Sequence, residues 1–235
     1  MESLLEFAKG PLFRFSFAVL ILGLIRLIIL AVINGLDAKQ KAKDTKIPKH
    51  YVRKLTWGYV FPFRSLRVKP IYSIISILFH VGLLVTPLLL WDHAWLFEQS
   101  IGFGWTGITL DHEVANWLTI LTMVTGVLLL LLRASTKEAR YLSRKQDFFW
   151  PILLIIPFVT GYICANAAIE PDTYNGYMMV HVLSGNLIFI LIPFTKIAHC
   201  VLMPLSQWIT ARSWKFPPEA GEQVAVSFGK ENEEL

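Results

Sequence analysis

Six histidines occur in the 235-residue chain, and five of them, His80, His93, His112, His181 and His199, lie in or at the edges of long apolar stretches. An ionisable ring at membrane depth is expensive, so it points to function. The plainer reading of each is a neutral imidazole hydrogen-bonded to a neighbouring helix. His50, the sixth, stands in a basic loop as a solvated residue. His181 and His199 are 18 residues apart. On one continuous helix that separation makes five whole turns, roughly 27 Å, and puts both rings on one face. Two imidazoles on one stripe at opposite depths suit two stacked haems, each held by axial nitrogens. The chain has no Cys-x-x-Cys-His for covalent attachment, so the haems would be b-type. Ser184 and Gly185 leave room for a flat macrocycle or serve ordinary small-residue helix packing.

Each haem needs a second ligand from another helix. Depth pairs His80 with His199 and His93 with His181. The thirteen residues from His80 to His93 rotate the ring by about 220° on a straight helix, so the two would not share a face. Pro87 lies between them and removes a backbone hydrogen bond, so a kink or local unwinding re-aims the outer end. His112 is the rival to His93 for the outer position.

The elements that must hold these rings follow from composition. The chain is 54% hydrophobic and 17% charged, with a mean hydropathy of +0.53; a soluble domain is about 45–50% apolar and about 25% charged. Two cysteines, Cys164 and Cys200, are too few for a Cys-ligated cluster or zinc site. A secreted disulfide scaffold, a nucleic-acid module and a soluble enzyme are excluded. Five stretches are each long enough to cross a hydrocarbon core of about 30 Å: Pro11 to Asn34, Ile71 to Trp91, Val114 to Leu132, Phe148 to Ala168 and Tyr177 to Met203. Each is continuously apolar, so an all-α integral membrane bundle is expected. Residues 1–212 form the membrane domain and 213–235 an extended tail.

Ten Lys and Arg fall between Leu36 and Pro70 and five between Arg133 and Trp150, whereas the segments from Asp92 to Glu113 and from Ala168 to Met178 carry none. The positive-inside rule then sets the N-terminus outside and the C-terminus in the cytoplasm. The loop from Leu36 to Pro70, with Lys54, Trp57, Tyr59, Phe61, Phe63 and Arg64, is expected on lipid headgroups or a partner subunit.

The stretch His181 to His199, reading HVLSGNLIFILIPFTKIAH, resembles the last helix of the gamma subunit of respiratory nitrate reductase. Leu78-Phe79-His80-Val81-Gly82 resembles that family's first ligand motif, and the Leu-rich run into Arg133 and the Asp147 opening the fourth span also fit. The resemblance implies a membrane cytochrome b of a prokaryotic inner membrane, carrying two b-type haems and exchanging electrons with the quinone pool. It implies His80 and His199 as ligands of the haem nearer the cytoplasm and His181 as a ligand of the outer one. Nitrate-reductase members place the remaining ligand ten residues after the first, where this chain has Leu90. A later histidine, as at His93, resembles the branch found with heterodisulfide-reductase-like and sulfite-reduction-associated iron–sulfur proteins.

In that family the quinone site lies beside the outer haem, where this chain has His93, Asp111, His112 and Glu113 to exchange protons. Asp111 is also placed to cap the third span. Arg26 and Lys196 are expected either to pair with haem propionates or to snorkel to the interface. The basic inner loops would dock an iron–sulfur subunit. The chain by itself is an electron conduit, active only within a complex. A proton-relaying transporter and a haem-free anchor for a peripheral enzyme are the rival readings.

Overall fold

A computed structural model describes residues 2–41 and 63–213, with positions 226 and 229. The described residues are mostly helical and contain no strand. In chain order they form α1 (Glu2–Lys9), α2 (Pro11–Lys41), α3 (Phe63–Val68), α4 (Pro70–Leu89), α5 (Trp91–Ile101), α6 (His112–Ser135), α7 (Lys137–Leu142), α8 (Lys145–Asn166), α9 (Pro171–Leu191), two 3-10 turns at Ile192–Phe194 and Lys196–Ala198, and α10 (His199–Ser213). Among the described residues, five helical segments are long and apolar enough to cross a membrane: Glu2–Asp37, Pro70–Leu89, His112–Ser135, Lys145–Asn166 and Pro171–Phe194. They overlap the five expected stretches. The first begins nine residues earlier than expected, because α1 and α2 meet at Gly10 with helical hydrogen bonds carried across (Gly10 N to Glu6 O, 2.9 Å). Most of the basic loop, including His50, Lys54, Trp57, Tyr59 and Phe61, and nearly all of the tail lie outside the described residues.

The chain divides into two compact units, Met1–Leu20 with Lys69–Ile192, and Ile21–Val68 with Pro193–Leu235. In the first unit the usual hydrophobic pattern is reversed. Ile74, Val81, Leu88, Val124, Leu131, Ile152 and Leu187 are exposed, while Ser73, Thr86, Thr119, Thr122, Thr125, Ser184 and Asn186 are buried. Hydrocarbon gives helices no reason to hide large apolar side chains, so they meet instead through small and polar residues that let backbones approach. Gly82 of α4 shows this directly. A Cβ there would stand 3.0 Å from Leu118 O and overlap Thr122 Oγ1 of α6. The α6 threonines satisfy their hydroxyls on their own helix, Thr119 to Ala115 O at 2.8 Å and Thr122 to Leu118 O at 2.6 Å.

Polar clasps tie the remaining helices of this unit. Asn186 of α9 accepts from Ser16 Oγ of α2 at 2.6 Å and donates to Ala8 O of α1 at 3.0 Å. Asn116 of α6 and Asn166 of α8 exchange reciprocal amide bonds of 2.9 Å. At the other end of the same two helices Arg133 and Asp147 form an ion pair of 3.8 Å, and Asp147 also accepts from Arg144 N.

Two expectations about the spans need correction. The fifth is not one helix from Tyr177 to Met203. Pro193 has no N–H to continue the ladder, and Thr195 is fully extended (φ −131°, ψ 179°), so two 3-10 turns separate α9 from α10. The five-turn argument for a common face of His181 and His199 therefore does not apply. In the second unit Pro193 packs against Gly23 of α2, where a Cβ would come within 2.6 Å of its Cγ. The second span ends before His93. Leu90 adopts an extended conformation (φ −72°, ψ 131°), closing α4 and opening the separate α5.

A paired-histidine candidate site

The break at Leu90 builds the site. At the end of α4 the last carbonyls have no following helical N–H. Leu90 N takes Thr86 O at 3.0 Å, and His93, on the first turn of α5, donates from Nδ1 to Pro87 O at 3.0 Å. Pro87 thus acts through its carbonyl, and the unwinding expected near it falls three residues later, at Leu90. The left-handed Gly102 (φ 78°) closes α5 at its far end.

His181 reaches the same place from α9. Its Nδ1 donates to Pro157 O of α8 at 2.8 Å, and its ring lies so close to that helix that a Cβ on Gly161 would be 2.8 Å from Cε1 and 3.0 Å from Nδ1. Pro157 and Gly161 stand one helical turn apart, the first offering the acceptor and the second the space. The His93 and His181 rings have centroids 5.9 Å apart and planes only 18° from parallel. A carbonyl can only accept, so each Nδ1 carries a proton, and in the neutral ring Nε2 keeps its lone pair. Burial first, and the neighbouring His181 second, push His93 down from 6.5 to about 4, so it is neutral at physiological pH. Beside His181 the α9 surface is open at Gly185, with no atom within 4 Å of a built Cβ, while Ser184 folds its hydroxyl back to His181 O at 2.9 Å.

Of the other residues singled out, His112 is the exposed first residue of α6 and pairs through Nε2 with Asn116 Nδ2 at 3.1 Å, within the amide clasp to Asn166. Asp111 caps α6, accepting from Glu113 N at 2.9 Å, and Glu113 is exposed. His80, half-buried in α4, donates Nδ1 to Ser76 O at 2.7 Å and lies edge-on to Phe79.

His199 belongs to the second unit. It begins α10, donates Nδ1 to Lys196 O at 2.8 Å, and lines an open cleft of about 510 Å³ together with Lys196, Leu202, Met203 and Ser206. Arg26, also in that unit, is exposed on α2. All four proposed ligand histidines thus share one arrangement, Nδ1 on a backbone carbonyl. Among the described residues no group of three or more His, Cys, Asp or Glu side chains converges.

Sequence reading passed over Pro157, Gly161 and Lys9. The first two carried a signal, a proline and a glycine one turn apart inside an apolar span. Lys9 carried none, because α1 was left outside the first span.

Five helices long and apolar enough to cross a membrane define a multi-pass membrane protein, and within it two imidazoles lie side by side, each hydrogen-bonded to a proline carbonyl. No family model matches the chain, and no solved structure matches it with significance. A protein of Nitratidesulfovibrio vulgaris strain Hildenborough, whose name states no function, is 30% identical over 207 residues, covering 86% of this chain and 89% of that protein. The chain belongs to the same family as that protein.

Proposed function

We propose that the chain is the cytochrome b subunit of a quinone-linked oxidoreductase, with two b-type haems in series through the membrane. The His93–His181 pair carries this reading. Two imidazole nitrogens on one metal at about 2.0 Å each are about 4 Å apart, and the half-widths of the rings bring the centroids to about 6 Å. The rings stand 5.9 Å apart with near-parallel planes. Both Nδ1 protons are held by carbonyls, the outer bond that fixes tautomer and orientation in ligating histidines and raises their basicity. Two protein nitrogens fall short of the four ligands a structural zinc takes, whereas they complete a haem's axial set.

In this reading His93 and His181 hold the outer haem, and His199 serves the inner one. The cleft beside His199, mostly apolar with Lys196 on its wall, suits a flat apolar ring bearing carboxylates, and Arg26 and Lys196 are the cations for its propionates. Haem supplies a reversible one-electron change that amino-acid side chains in hydrocarbon do not offer. A quinol gives up two electrons and two protons to become quinone; the electrons leave one at a time, and one of His93, Asp111, His112 and Glu113 exchanges protons with the headgroup. The orientation is N-terminus outside, from the distribution of Lys and Arg, and the basic cytoplasmic loops receive an iron–sulfur partner.

A reduced-minus-oxidised visible spectrum of the purified protein tests the proposal. A b-type alpha band supports it. A flat trace overturns it in favour of a proton-relaying transporter or a haem-free anchor.

A further inference from the structure

Lys9 ends α1, and two hydrogen bonds fix where. The carbonyl of Ala8 is held by Asn186 Nδ2 of α9 at 3.0 Å, and the carbonyl of Lys9 itself by Ser100 Oγ of α5 at 3.2 Å. The residue therefore sits at the seam between the two helices that supply His181 and His93. Lys9 thus approaches the paired-histidine site from a third helix, α1. Lys9 is half-buried, and among the described residues no carboxylate stands at ion-pair distance from it, although Glu2 and Glu6 lie on the same helix. A half-buried ammonium beside apolar helices is costly unless an anion faces it.

We infer that Lys9 binds the carboxylate of a flat, carboxylate-bearing macrocycle held between His93 and His181, and tunes the potential of its metal. The inference rests on the haem reading above and adds to it a recognition element in α1, outside the four ligand-bearing segments. A fixed positive charge next to the site favours the state with one electron more. Its removal makes that state harder to reach, and its reversal harder still.

The experiment is a potentiometric titration of the full-length protein in native membranes, following the alpha band in wild type and in Lys9→Arg, Lys9→Met and Lys9→Glu. The component belonging to the outer site is the one that His181→Ala removes. Its midpoint potential is expected to stay unchanged in the arginine variant, to fall in the methionine variant and to fall further in the glutamate variant. The component that His199→Ala removes is expected to stay where it is throughout. Equal potentials in wild type, Met and Glu variants would overturn the inference while leaving the haem proposal standing. A fall in the arginine variant as large as in the methionine variant would do the same, because packing rather than charge would then be responsible. Absence of any b-type band in the wild type removes the haem proposal and Lys9's role with it.

Discussion

The His93–His181 region and the His199 region use the same imidazole device in opposite settings. In the first, two rings from different helices are already together, each tied to the carbonyl of a proline, and one of them lies against a glycine that admits it. In the second, a single exposed ring opens a helix after a broken segment and faces a cleft of about 510 Å³. Both are made by a helix ending, at Leu90 in one case and at Pro193 to Thr195 in the other. Proline acts in two ways here. Pro193 lacks the N–H that would continue the ladder, so the next helix starts in a new direction, whereas Pro87 and Pro157 offer their own carbonyls to the two rings.

The largest test of the contrast removes a ring from each region. On the haem proposal, His181→Ala is expected to abolish about half of the b-type absorbance and His199→Ala the other half, each leaving the second signal, since each variant would delete one proposed axial ligand; haem-to-protein ratio and the alpha band read this out. Loss of both signals from either single variant would mean that the two regions are not separable.

A smaller loss is expected from Gly82→Ala. Its Cβ meets Leu118 O and overlaps Thr122 Oγ1 in the α4–α6 contact, and overpacking costs about 1–3 kcal/mol. The thermal midpoint in detergent should fall, with both haem signals retained in the protein that stays folded.

Gly161→Ala sharpens the comparison without removing a ligand. A methyl 2.8 Å from His181 Cε1 must push the ring off Pro157, so the low-spin EPR signal or alpha-band position of the outer component should shift while the His199 component is unmoved. An unshifted outer component would show that the ring does not depend on that contact.

The smallest effect belongs to His112→Ala. Haem content should remain at wild-type level, because His112 is engaged by Asn116 outside the His93–His181 pair. Haem loss in His112→Ala, with His93→Ala intact, would reverse the assignment of the outer ligand.

Much of the architecture could be read without coordinates. Five apolar runs of sufficient length declare five spanning helices, since hydrocarbon leaves the backbone no other way to satisfy its polar groups. Asp111 as a cap was legible too, from its place before an apolar run. The phase argument for His181 and His199 failed at Pro193 and Thr195, where an assumed helix was interrupted. The Pro87 argument fared better but missed its exact place, Leu90.

The amino-acid sequence by itself determined the number of spanning helices and the identity of the imidazoles, because both depend on local chemistry: apolar length and residue type. Which rings meet, at what separation and on which carbonyls, was decided only by tertiary structure. Those features depend on where each helix stops and on how closely neighbouring backbones pass, as Gly161 beside His181 and Gly82 beside Thr122 show. Contacts of that kind join residues 20 to 88 positions apart, and no local pattern fixes them.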